Sequence, residues 1–102
     1  MTPQSDKPLL LVTEDDPDIR RVLRLALGRA HFDVAFLDDG EALLARVATT
    51  RPAGILLDWM LPGIEGPDVC RRLKADPSTA AIPVVFLTAR SQARDIEQTG
   101  VA

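Results

Sequence analysis

The stretch Leu9-Leu10-Leu11-Val12-Thr13-Glu14-Asp15-Asp16-Pro17 decides the fold. An aliphatic run of strand length passes into an acidic cluster and then into a helix start. Asp16 offers a capping oxygen, and Pro17 suits the first helical position. Beyond it, Ile19, Val22, Leu23, Ala26 and Leu27 fall at i, i+3, i+4, i+7 and i+8, a one-sided apolar stripe of helical period. Arg20, Arg21 and Arg24 lie off that stripe and read as a solvated helix face. Working outward, runs of strand length and composition recur at Asp33–Leu37, Ile55–Leu57 and Ile82–Leu87. Between them lie two more helical segments. Gly40–Thr49 has Asp38 or Asp39 as cap and Leu43, Leu44 and Val47 apolar. Pro67–Ala75 turns Val69, Cys70 and Leu73 inward and is stopped by Asp76-Pro77. A weaker fourth helix is expected between Ser91 and Thr99. Residues 1–7 read as a disordered leader and residues 8–102 as one domain.

Strands alternating with helices predict a parallel sheet covered on both faces. Right-handed crossovers prune this to a doubly wound open α/β sheet. Ile55–Leu57 and Val84–Leu87 do not alternate with polar residues, as expected of strands buried on both faces. The 102 residues, 46% of them apolar, suffice for a single core. Twelve Lys and Arg against 15 Asp and Glu leave a net charge of −3, which argues against bulk binding to nucleic acid or acidic membranes. No apolar run approaches the roughly 20 residues of a membrane span. The single cysteine rules out an internal disulfide and fits a reducing compartment. With a polar N-terminus lacking a signal core, this predicts a cytoplasmic protein.

Three apolar strands end in polar groups: the first in Glu14-Asp15-Asp16, the third in Asp58, the fourth in Thr88. Ligands of open parallel sheets bind outside the carboxyl ends of the strands. If these three strands are neighbours, Glu14, Asp15, Asp58 and Thr88 converge on one pocket. Carboxylates packed together repel one another, and a hard divalent cation resolves the conflict: Mg2+ takes oxygen ligands, often one or two carboxylates plus phosphate oxygens. Such a site suits phosphoryl transfer, with a carboxylate as nucleophile and a hydroxyl donating to a phosphoryl oxygen.

The chain resembles the receiver domain of two-component response regulators over nearly all of Leu9 to Ala102. The resemblance is carried by Val12-Thr13-Glu14-Asp15-Asp16-Pro17, by Asp58-Trp59-Met60-Leu61-Pro62-Gly63 with Gly66 after it, and by Phe86-Leu87-Thr88-Ala89-Arg90. It implies the flavodoxin-like receiver fold with strand order 2-1-3-4. It implies Asp58 as phosphoacceptor, charged by a histidine kinase, a phosphotransfer protein or a small phosphodonor. Glu14, Asp15, Asp58 and the backbone carbonyl of Met60 would hold Mg2+, and Thr88 would be the switch hydroxyl. Met60 and Arg90 occupy positions that tune phosphate loss in the family. Receivers continue into a fifth strand, a phosphate-pairing lysine and a fifth helix. This chain stops at Gly100-Val101-Ala102, so the resemblance implies an incomplete domain, with a weakened switch and an exposed fourth strand through which two copies could pair. An output domain or downstream protein would read the phosphorylated surface.

Plainer readings stand beside these. Asp16 is explained fully as a helix cap. Cys70 reads as a partly buried helix residue, since no His or second Cys supports metal or catalysis. His31, the only histidine, reads as a surface or helix-end residue. Trp59 is either an exposed contact or a pocket-edge aromatic. No Gly-rich phosphate loop and no zinc spacing occurs, which disfavours nucleotide hydrolysis and dinucleotide binding. The expected role is therefore that of a signalling module rather than an enzyme. The alternative is a receiver-shaped binding module without a working switch. A metal-dependent phosphohydrolase is disfavoured, for want of a histidine near the pocket to act as general acid or base.

Overall fold

The computed structural model describes residues 7–61 and 63–87. Its elements follow the expected order: β1 (Leu9–Thr13), α1 (Pro17–Arg29), β2 (Asp33–Leu37), α2 (Gly40–Thr49), β3 (Gly54–Asp58), α3 (Gly66–Ala75) and β4 (Val84–Leu87). All strand pairs are parallel, in the order β2-β1-β3-β4. The predicted strand order 2-1-3-4 is thus realised, with β1, β3 and β4 side by side. The segments expected at residues 1–6 and 91–99 lie outside the described residues.

Local chemistry sets the helix ends. Asp16 caps α1, its carboxylate accepting from the backbone N–H groups of Asp18 and Ile19. Asp39, rather than Asp38, caps α2 by accepting from Ala42 N at 2.7 Å. α1 closes with His31 in the left-handed region at φ 69°. His31 N donates to Gly28 O and Phe32 N to Leu27 O, the paired bonds that satisfy the last carbonyls of a helix. His31 is therefore an exposed helix-end residue.

The core lies on one face of the sheet, where Leu11, Ile55 and Leu57 meet Leu43 and Val47 of α2 and Val69 and Leu73 of α3. Cys70 is partly buried beside them. Leu10 and Val12 alternate onto the other face. α1 lies on that face, since Arg20 and Arg24 of α1 stack over Phe36, which pairs with Val12.

Two packing expectations need correction. Within the apolar stripe of α1, Ile19, Leu23 and Leu27 are half-buried, but Ala26 is exposed and Val22 is 64% exposed. α1 rests against β2, so only the i, i+4, i+8 line of the stripe meets the sheet. Likewise β4 is not buried on both faces: Val85 is 57% exposed. α1 sits at the β2 side of the sheet, and no described element covers the opposite side of that face.

Candidate functional site

β1 and β3 are adjacent and parallel, so their carboxyl ends open at one edge of the sheet. Burial fixes both strands: Leu11, Val12, Ile55 and Leu57 are wholly inaccessible. Glu14 and Asp15 leave the end of β1, and Asp58 closes β3. Carboxylate oxygens of Glu14, Asp15 and Asp58 all lie within 4.8 Å of one another. The expected convergence of these three residues is present. Thr88 and Arg90 lie outside the described residues.

The three carboxylates differ in environment. Glu14 is 4% exposed, whereas Asp15 is exposed and Asp58 half-buried. Burial pushes the Glu14 carboxyl above the ordinary glutamate range. The N–H of Asp16, donating to Glu14 Oε2 at 3.0 Å, opposes this, and the negative charges of Asp58, Asp15 and Asp16 add to the rise. A buried acid surrounded by like charge, in a donor set made only of oxygen, fits a hard dication such as Mg2+.

The β3–α3 turn shapes the other wall. Met60 N approaches Asp58 Oδ1 at 3.4 Å, and Met60 is 66% exposed. Gly66 N donates to Trp59 O at 2.9 Å, and a Cβ on Gly66 would stand 2.4 Å from the Asp58 carbonyl oxygen. Glycine is therefore required where α3 approaches the end of β3. Trp59 packs against Phe86, ring centroids 4.9 Å apart, and is half-buried rather than an exposed contact.

Two residues beside the carboxylates escaped the sequence reading. Arg20 is no solvated charge: its Nε donates to the Glu14 carbonyl oxygen, and its Nη2 pairs with Asp38 at 2.9 Å. Its guanidinium and that of Arg24 lie 5.2 and 5.0 Å from the Phe36 ring centroid. The reason is geometric, because the polar flank of α1 turns toward the ends of β1 and β2. Thr13 is fully buried, and its hydroxyl accepts from Asp58 N at 2.8 Å. The only signal in the sequence was a hydroxyl ending an otherwise aliphatic strand.

Comparison with known proteins places this geometry. The sequence profile of the response regulator receiver domain matches residues 10–101. The chain is 42% identical over 87 residues to the DNA-binding response regulator MtrA of Mycolicibacterium smegmatis, covering 85% of this chain and 37% of that protein. It thus spans little more than a third of the curated relatives it matches. The N-terminal domain of a response regulator receiver protein from Methanoculleus marisnigri superposes with a TM-score of 0.76 at 32% identity, covering 90% of this chain and 76% of that one. The Mn(2+)-bound form of response regulator Rcp1 superposes with a TM-score of 0.78 at 28% identity, covering 92% and 74%.

Proposed function

The chain belongs to the response regulator receiver domain family, and from that premise we propose that it accepts a phosphoryl group on Asp58 from a histidine kinase in a Mg2+-dependent phosphorelay. The observation that carries this reading is the meeting of Glu14, Asp15 and Asp58 within 4.8 Å at the carboxyl edge of the sheet. An Asp58 carboxylate oxygen attacks phosphorus of the donor. A P–O bond forms to Asp58, the bond to the donor's imidazole nitrogen breaks, and the nitrogen keeps the electron pair. The product is an acyl phosphate.

Glu14, Asp15, Asp58 and the Met60 backbone carbonyl are the proposed Mg2+ ligands. Bound there, Mg2+ would neutralise charge on the transferring group. Glu14 is held for this task from both directions: the Asp16 N–H orients its carboxylate, and the Arg20 guanidinium anchors its carbonyl. Gly66, having no Cβ, leaves room for the Asp58 carbonyl oxygen beside the start of α3. Thr88 is assigned as the switch hydroxyl that donates to a phosphoryl oxygen.

As a signalling module, the domain would take a histidine kinase or phosphotransfer protein as donor and a downstream protein or output domain as reader. A relative such as the DNA-binding response regulator MtrA supports a DNA-binding output domain as the proposed reader. Among the described residues no helix is long and apolar enough to cross a membrane, and a cytoplasmic setting is part of the proposal. Two copies are proposed to pair through β4.

The test is intact mass after treatment with acetyl phosphate and Mg2+, beside Asp58→Ala. One phosphoryl adduct that requires both Mg2+ and Asp58 is expected. A folded chain that takes no adduct would sink the reading in favour of a receiver-shaped binding module.

A further inference from the structure

We propose that Thr13 is a positioning residue for phosphoryl transfer: its buried hydroxyl fixes the backbone of Asp58 relative to the carboxylates of Glu14 and Asp15. The proposal rests on the phosphoacceptor reading of Asp58 and deepens it.

The backbone ladder between β1 and β3 runs from Leu10↔Gly54 to Val12↔Leu56 and goes no further. Asp58 lies two residues beyond it. At that point the Thr13 side chain takes over, its Oγ1 accepting the Asp58 N–H at 2.8 Å across 45 positions of sequence. Thr13 is itself held on its other side, since its backbone pairs in register with Leu37 of β2. One residue thus spans β2, β1 and β3 at the edge where the carboxylates meet, and Glu14 follows it directly in the chain. Thr13 is wholly buried, so no solvent offers Asp58 N–H a substitute acceptor from its side. As a β-branched residue in a strand it has few χ1 choices, so the hydroxyl direction is set by packing.

The consequence is chemical. A carboxylate nucleophile works only when the attacking oxygen is aligned with the phosphorus, and a misplacement of about 1 Å can cost around 100-fold in rate. Removing the hydroxyl while keeping the side-chain shape loosens the Asp58 backbone on its β1 side, while its pairing with Leu87 of β4 remains. Glu14 and Asp15 stay where β1 and the Asp16 cap hold them. A merely structural hydroxyl would change the melting temperature and leave the transfer rate of the folded protein alone.

The experiment measures the rate of Asp58 phosphorylation at saturating Mg2+ and acetyl phosphate for Thr13→Val and Thr13→Ser. Mg2+ affinity is followed by fluorescence of Trp59, the only tryptophan in the chain. Thr13→Val is expected to slow transfer about 10-fold, with Mg2+ affinity within about twofold, while Thr13→Ser stays close to the parent. An unchanged rate in Thr13→Val overturns the proposal, as does equal slowing by Val and Ser, which would indicate packing rather than the hydroxyl. If Thr13→Val does not fold, Thr13→Ala replaces it. Ala and Ser both lack the methyl group, and equal rates for that pair overturn the proposal. An adduct on the parent with no effect at Thr13 sinks this inference alone; no adduct on the parent sinks the phosphoacceptor reading and this inference with it.

Discussion

Glu14 carries a carboxyl that burial and neighbouring negative charge hold above the ordinary glutamate range, and the sign of its effect depends on what occupies the site. Without metal, the folded chain binds this proton more tightly than the unfolded chain. The group's contribution to stability is therefore complete below the unfolded value and is lost as pH rises through the folded one. With Mg2+ present, proton and metal compete for the same oxygens. The stabilisation that Mg2+ confers is expected to shrink as the pH is lowered from neutrality toward the ordinary glutamate range, which melting curves with Mg2+ and with chelator will measure. Glu14→Gln removes the charge at nearly constant volume. It is expected to melt no lower than the parent in chelator and to lose the Mg2+-dependent rise; a variant still stabilised by Mg2+ would remove Glu14 from the ligand set. The three carboxylates were legible in the sequence because each ends or directly follows an apolar strand, a local pattern. Arg20 was not, because its partners Glu14, Asp38 and Phe36 come from separate segments.

Two glycines at opposite kinds of position show how the elements carry the site. Gly66 opens α3 against the end of β3, and any Cβ there would meet the backbone oxygens of Asp58 and Trp59 at 2.4 and 3.0 Å. Backbone cannot yield as a side-chain tip can. Gly66→Ala is expected to destabilise the fold by about 2 kcal/mol or more, in the range of overpacked sites, and to slow phosphorylation of Asp58 by shifting the turn. Gly28, near the end of α1, has nothing within 4 Å of an added Cβ. Gly28→Ala should therefore stabilise by about 0.5–1 kcal/mol, because alanine loses less backbone entropy in a helix. Denaturant titration of the pair checks both signs. If Gly66→Ala matches the parent in stability and rate, the close approach of α3 to Asp58 has no functional weight. The helices themselves were readable from period and caps, and Gly66 stood out only as part of a family motif. Its reason lies in a contact between β3 and α3 that no local pattern encodes.

At the scale of the whole molecule the sheet is asymmetric. β2 and β4 are its edges among the described residues, the core fills one face, and α1 covers the β2 side of the other. β4 pairs with β3 alone there, and Val85 is 57% exposed. An apolar strand that is an edge among the described residues favours pairing with another chain. Light scattering is expected to find a dimer that Val85→Lys disrupts; a monodisperse monomer of the parent at the same concentration would remove this pairing from the proposal. The amino-acid sequence by itself determined the element order, the strand polarity and hence the edge at which Glu14, Asp15 and Asp58 emerge. Those properties follow from apolar period, caps and chain direction, which act within a few residues. Tertiary structure alone decided which part of the α1 stripe is covered, that Arg20 serves Glu14, and that Thr13 holds Asp58. Each of these depends on groups brought together across the sheet, where packing and hydrogen-bond geometry join residues that are distant in the chain.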